Sequence, residues 1–279
     1  MTARTLLLTF LAMTAFAGNS LICRAALRDS QLDPASFTAL RLLAGALTLW
    51  LLLILRKGPS AMAGSWYGAL MLFAYAASFS YAYLHLDAGA GALLLFGAVQ
   101  LSMIVWGLIQ GERLHPGQTA GMLLAGAGLV ALLLPGTSAP PVSASLLMLL
   151  AGCAWGAYSL LGKGTPDPLA STAGNFIRTL PFAILLCLPV MDGLKWDSNG
   201  VIYALLSGGL MSGVGYAIWY AAMPGLAAIQ AASVQLSVPL LTALAGSLLL
   251  GEPLTGAVVF AGLAILGGIA LVLRFKYRN

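Results

Sequence analysis

Charge is what this sequence has least of. Asp, Glu, Lys and Arg make up 8% of its 279 residues, where a water-soluble domain carries about 25%, so no polar shell large enough to surround a soluble core can be built from it. The net charge of +5 does not point to nucleic acid. The basic residues come one or two at a time between apolar runs, which is information about topology and not a phosphate-binding patch. Two histidines and three cysteines leave little for metal or redox chemistry. Cys23, Cys153 and Cys187 have no CxxC spacing and read as small packing residues. There is no Ser/His/Asp arrangement, no Gly-x-Ser-x-Gly elbow and no Gly-rich Lys-Ser/Thr loop. An enzyme, a bound cofactor, a metal site and ATP coupling are therefore not expected.

What is present is apolar length. Sixty per cent of the residues are hydrophobic and the mean hydropathy is +0.95. A span needs about 20 mostly apolar residues, because only a helix of that length crosses hydrocarbon with its backbone hydrogen bonds satisfied. Ten such runs are expected, near 5–23, 36–55, 64–84, 88–110, 116–134, 143–162, 171–190, 199–221, 226–250 and 254–273, with links too short to fold as separate domains. The first reads as a retained span, not a removed signal. The lipid bilayer is thus the one extended partner, and the chain is expected to be multi-pass and all-α.

The chain repeats itself. Gly111-Glu112-Arg113-Leu114 is matched 140 residues later by Gly251-Glu252-Pro253-Leu254, and Arg41 within the second span is matched by Arg178 within the seventh. This divides the protein into residues 1–135, a linker at 136–142, and residues 143–279. Five spans is an odd number, so the second half must cross in the opposite sense to the first. The expected architecture is ten transmembrane helices as two inverted five-helix repeats. Short-loop cations set the orientation: Arg4, Arg56, Lys57, Arg113, Lys163, Arg274, Lys276 and Arg278 fall on the side of the N-terminus, against Arg24, Arg28 and Lys195 on the other. Both termini are expected in the cytoplasm.

Residues with roles follow from what an apolar helix does not need. Tyr75, Ser78, Phe79 and Ala82 share one helical face. Phe96, Gln100, Trp155, Tyr158, Tyr216, Trp219 and Gln235 supply further rings and amides in mid-span, where an amide requires a partner or a watery passage. Together they describe a cavity for a small organic solute: rings to stack on it, amides and hydroxyls to orient it. Other aromatics, Trp50, Trp66, Tyr67, Tyr83, Trp196 and Tyr220 among them, read as interfacial belt residues.

Arg41 and Arg178 have two readings. Each can hold nearby carbonyls together, which their symmetry favours, or one can reach a substrate carboxylate. Glu112 and Glu252 sit in glycine turns, where a carboxylate can accept from the N–H groups that start the next helix. They are read as architectural or gating, and Pro239 as a kink in the ninth span. No acid lies mid-span, so movement down a gradient is expected, with a histidine the remaining route to proton coupling.

The order of these features, with Phe16-Ala17 and Trp155-Gly156 early in the two halves, resembles the drug/metabolite transporter superfamily in its ten-helix bacterial branch. Within it the sequence is similar to the aromatic amino-acid exporters. The resemblance covers the whole chain and implies a bacterial inner-membrane transporter that exports aromatic and other mostly neutral amino acids by alternating access. It also implies a cavity between helices one, three, four, six, eight and nine. A carrier of another small organic metabolite or drug, with or without proton coupling, is the alternative. A monomer suffices for either.

Overall fold

The computed structural model describes residues 2–56, 62–111, 113–133, 140–163, 165–193, 195–226 and 228–276, with side chains left aside at 228, 229, 232, 233 and 276. Among these residues there are helices and turns and no strands. The helices are α1 (Ala3–Asp29), α2 (Pro34–Leu55), α3 (Trp66–Tyr83), α4 (Ala88–Ile109), α5 (Pro116–Leu133), α6 (Val142–Leu161), α7 (Pro168–Cys187), α8 (Ser198–Leu205), α9 (Gly215–Ala222), α10 (Ala228–Gln235), α11 (Ser237–Leu250) and α12 (Gly256–Lys276).

The few polar residues begin these helices. Asp33, Asp167 and Asp197 accept from the N–H groups of Ser36, Ala170 and Gly200, and Ser65 does so for Gly68, each meeting one of the donors that a helix start leaves unpaired. Pro34 and Pro168 follow two of these caps, where a missing N–H costs nothing. At the other end of α11, Gly251 takes φ +66°, and Gly111 after α4 takes φ +89°. Both glycines of the repeated turn therefore adopt the left-handed conformation that residues with a Cβ avoid.

Among the described residues, eight helical segments are long and apolar enough to cross a membrane: α1, α2, α4, α5, α6, α7 with its short extension, the run Ser198–Gly225, and α12. The third and ninth expected spans fall outside that set for different reasons. Tyrosines and serines lower the apolarity of α3, and the ninth is broken at Leu236 into α10 and α11. The break precedes Pro239, which lies in the first turn of α11; proline is tolerated there, so this is an interruption where a mid-helix kink was expected.

The eighth span is also irregular. Between α8 and α9, residues Leu206–Val214 form a π-helix. Glycines at 208, 209 and 213 weaken the tighter helical repeat there and let α2 come close. A Cβ on Gly208 would collide with the carbonyl of Arg41, and one on Gly213 would sit 2.9 Å from Cβ of Thr48.

Hydrogen bonds gather the helix ends into two groups. At one end Arg24 reaches Glu252, Asp87 and the carbonyls of Tyr83 and Leu84, while Arg28 reaches the carbonyl of Leu250 and Gln31 N–H donates to Asp197. At the other, Arg56 pairs with Asp167, Ser65 N–H donates to Asn175, and Arg178 donates to Ala63. The lateral surface between them is apolar: Phe10, Leu51, Ile184, Leu248 and Phe260 are 51–82% exposed. An apolar surface of that extent is stable facing lipid, not water, and the chain is a multi-pass, membrane-embedded protein.

Of the expected belt residues, Trp50, Trp66, Tyr67 and Trp196 are on this surface. Tyr83 and Tyr220 are not. Tyr83 is fully buried with its ring edge-on to Phe79 and its hydroxyl donating to the carbonyl of Ala88, and the Tyr220 hydroxyl bonds that of Thr172. A tyrosine near a helix end can turn inward when a carbonyl or hydroxyl inside meets its O–H.

Helices α5 and α12 pack at glycine distance. A Cβ on Gly268 would lie 2.5 Å from the carbonyl oxygen of Gly121 and 2.6 Å from the N of Ala125, whereas one on Gly267 would meet nothing within 4 Å. Gly268→Ala is therefore expected to lower the detergent-solubilised protein's stability by about 1–3 kcal/mol, seen as a lower unfolding temperature, and Gly267→Ala to leave it unchanged. Equal effects at both positions would show that this contact is not what holds the pair.

Candidate functional site

A cavity opens where α1, α3, α4, α6, the π-helix with α9, and α10 converge. Its lining is Phe16, Asn19 and Ser20 from α1, Tyr75 and Phe79 from α3, Leu95, Phe96 and Val99 from α4, Trp155 from α6, Met211, Ser212 and Tyr216 from the eighth span, and Gln235 at the end of α10. The space between these side chains, with the open solvent at its mouth counted in, is ≈ 520 Å³. Only ≈ 40 Å³ of it admits the centre of a water molecule, so the rings stand close to one another.

They form a continuous aromatic wall. Trp155 stacks on Tyr216 with centroids 5.5 Å apart and planes 17° from parallel, and it meets Tyr75 at 4.8 Å. Tyr75 continues to Phe79 at 5.3 Å, and Phe16 closes on Tyr216 at 5.7 Å. Offset and tilted contacts at these distances are favourable, and they hold the rings in place without hydrogen bonds to the cavity. The polar groups are held separately. Asn19 accepts from the Ser207 hydroxyl at 2.6 Å and makes a long 3.5 Å contact to the Tyr75 hydroxyl, while the Gln235 amide donates to the carbonyl of Ala231. Among the described residues no acidic side chain lines this cavity.

Of the residues singled out by sequence, the structure brings Tyr75, Phe79, Phe96, Trp155, Tyr216 and Gln235 together around the cavity. Ser78 and Ala82 are buried on α3 outside the lining, and Gln100 lies beyond Val99, one residue past the wall on α4. Tyr158 and Trp219 stand behind it. The Tyr158 ring contacts Trp155 at 5.3 Å while its hydroxyl donates to Thr172, and Trp219 meets Phe16 edge-on at 6.2 Å. Asn19, Ser20, Met211 and Ser212 are lining residues that the sequence reading passed over. The criterion that singled out Gln235, an amide in mid-span, applies equally to Asn19; nothing distinguishes Met211 or Ser212 from their neighbours.

The paired arginines differ. Arg178 donates through Nη1 to the carbonyls of Ala63 at 2.8 Å and Gly174 at 3.0 Å, as a carbonyl-binding arginine would. Arg41 is 3% exposed, lies over the rings of Phe79 and Tyr75 at 5.1 and 5.8 Å, and its Nη1 is buried without a hydrogen-bond partner.

Glu252 also departs from expectation. It does not accept from the helix that follows it: Oε2 accepts from Ala88 N–H at 2.7 Å, the start of α4, and Oε1 pairs with Arg24 at 2.9 Å. The turn lies beside α4 in space, so the N–H it meets belongs to the other half of the chain. Glu112 falls outside the described residues. Arg24 and Glu252 are 11% and 7% exposed, and Arg24 is also 3.3 Å from Asp87. A second cavity beside this cluster is lined by His85, Asp87, Ala90, Pro140, Pro141, Pro253, Thr255 and Val258. The second histidine, His115, stacks on Phe275 and accepts from Gly117 N–H.

Apolar flanks and an aromatic, partly polar cavity between bundled helices are features of a transporter's build. The sequence matches the EamA-like transporter family over residues 3–134 and again over 142–274, and the chain belongs to that family, within the drug/metabolite transporter superfamily. It is 63% identical over 271 residues, 97% of this chain and 94% of the relative, to the uncharacterized protein PA1977 of Pseudomonas aeruginosa. A solved crystal structure superimposes with a TM-score of 0.69 at 21% identity, covering 99% of both chains, a likeness of fold.

Replacing Glu252 with alanine removes one anion from a nearly buried cluster and leaves the Ala88 N–H unpaired. Asp87 and two carbonyls still hold Arg24, so the expected loss is on the order of 3 kcal/mol, the low end for a broken buried pair. It is read as a lower unfolding temperature of the purified protein. An unchanged unfolding temperature would mean the cluster is not structural.

Proposed function

We propose that this protein exports small organic solutes, neutral and aromatic amino acids first among them, across a bacterial inner membrane by alternating access through the aromatic cavity. The observation that carries the reading is the chemistry of the wall: rings in contact from four helices, two carboxamides, hydroxyls, and no carboxylate among the described lining residues. An inorganic cation finds no anionic ligand there, whereas an amino acid can stack its side chain on the rings and direct its polar end to Asn19, Ser20 and Gln235.

Alternating access asks for two halves of one design, each able to take the other's conformation. The family matches two stretches that divide the chain near residues 135–142. Packing partners also come in exchanged pairs: α3 against α6 and α1 against the eighth span, α4 against α6 and α1 against α11, with α2 on α7 and α5 on α12. That pattern supports ten spans as two inverted five-helix repeats. Cytoplasmic termini are supported by the distribution of short-loop cations, and the exceptions on the opposite side, Arg24 and Arg28, are tied to Asp87, Glu252 and Asp29.

A second reading, a carrier for another organic metabolite or drug, is favoured by the same lack of an acid, since nothing in the wall demands an ammonium group. Uptake and counterflow in liposomes containing only this protein separate the two. Saturable exchange within a mixed amino-acid panel is expected, and exchange confined to non-amino-acid solutes would give the second reading precedence. Orientation is tested by cysteines placed singly at positions 59 and 195, which are expected to react with an impermeant maleimide from the cytoplasmic and the outer side respectively. Labelling of both from one side would overturn the inverted arrangement.

A further inference from the structure

Resting on the reading of the cavity as the transport site, we propose that Arg41 selects the charge of the transported solute, so that the protein carries molecules with a carboxylate and discriminates against the same molecules as neutral or cationic amides. Four ion pairs occur among the described residues, and Arg41 is in none of them. Its guanidinium is buried and faces only neutral or π partners: the rings of Phe79 and Tyr75, and the Cys23 thiol and Tyr75 hydroxyl. Nη1 has no acceptor.

A cation in a membrane-embedded interior is kept only where something offsets its lost hydration. Ring faces offset part of this. The full compensation is an anion, and no ion pair among the described residues supplies one to Arg41. Phe79 and Tyr75 are themselves lining residues of the cavity, so the positive charge stands one ring's thickness behind the wall. Its field enters a low-dielectric space that has no acidic lining residue to oppose it, and in such a space charge is weakly screened. A carboxylate placed on the Tyr75–Phe79 side of the cavity is attracted; an ammonium placed there is repelled. This also biases a zwitterion's polar end so that its carboxylate, not its ammonium, is the group nearer α3.

The contrast with Arg178 argues against a structural role for both. Carbonyls of Ala63 and Gly174 hold Arg178, and the equivalent acceptors are not provided to Arg41.

The test is liposome transport by the wild type and by Arg41→Met and Arg41→Lys, using phenylalanine, its amide, and N-acetylphenylalanine. Wild type is expected to move phenylalanine and the N-acetyl acid at least about tenfold faster than the amide at equal low concentration. Arg41→Met should lose that preference by raising KM for the acids, and Arg41→Lys, which keeps a charge without the planar fork, should retain part of it. Equal transport of acid and amide by wild type overturns the proposal and leaves the exporter reading standing.

If none of the three moves, the amino-acid reading fails, and the charge selection is then judged by thermal stabilisation with benzoate against benzamide. A shift of the unfolding temperature by benzoate alone, absent in Arg41→Met, sustains it, and equal shifts overturn it. Arg41→Lys carries the same comparison should Arg41→Met not fold.

Discussion

Inside a bilayer no water is available to satisfy a polar group, and a group left unpaired there costs several kcal/mol. This chain meets that constraint with very few charges. Asp33, Asp167 and Asp197 are spent on helix starts, Asp29 on Arg28, and Asp87 and Glu252 on Arg24. The Arg24 cluster does most, because one guanidinium reaches the end of α3, the start of α4 and the turn after α11. It joins helices that are far apart in sequence, and none of its contacts is local. Once these ends are fixed, the helices between them are constrained in tilt and depth, and glycine contacts such as Gly121 on Gly268 set how closely they approach.

The same constraint explains where regular helix is given up. Backbone departing from the α-helix at membrane depth is tolerated where it is buried or lines a cavity, and two mid-span interruptions among the described residues, the π-helix and the break at Leu236, are both at the cavity. The π-helix Leu206–Val214 contributes Met211 and Ser212, and Gln235 closes α10 immediately before the break at Leu236. The widened turn and the broken helix place side chains at angles a straight helix would not offer. They also concentrate in the second half of the chain, so the two halves line the cavity unequally even though their packing partners correspond.

How far the sequence could be read depended on whether a feature is local. Apolar length, helix-starting Asp and Ser residues, and the glycines with positive φ at 111 and 251 depend on a few neighbouring residues, and each can be read without knowing the fold. Glu252 was misassigned to its own helix because its true partner, Ala88 N–H, is 164 positions earlier, a relation no spacing rule contains. The cavity face was partly legible because rings and amides are out of place on a lipid-facing surface. It was not wholly legible because these helices are apolar all round, and an apolar stripe cannot then be told from its opposite face. Tyr83 and Gln100 err in opposite directions for that reason: one a belt residue by position and fully buried in fact, the other a cavity residue by chemistry and outside the lining.

The two ends of the bundle are closed by unequal means, and this bears on any cycle that opens them in turn. At the Arg24 end the Arg24–Glu252 pair is ionic and nearly buried, while Asp87 beside it is half-exposed. At the other, the ion pair is Arg56–Asp167, with side chains 48% and 30% exposed. An exposed pair contributes about 0–1 kcal/mol, whereas separating a buried one leaves charges that must be rehydrated or re-paired. Opening at the Arg24 end therefore needs water to enter the cluster as its ions part, and the polar cavity lined by His85, Asp87 and Thr255 lies directly beside it. The more buried of the two ties is thus the one with a polar cavity beside it, which lowers the cost of hydrating Arg24 when the contact to Glu252 is broken.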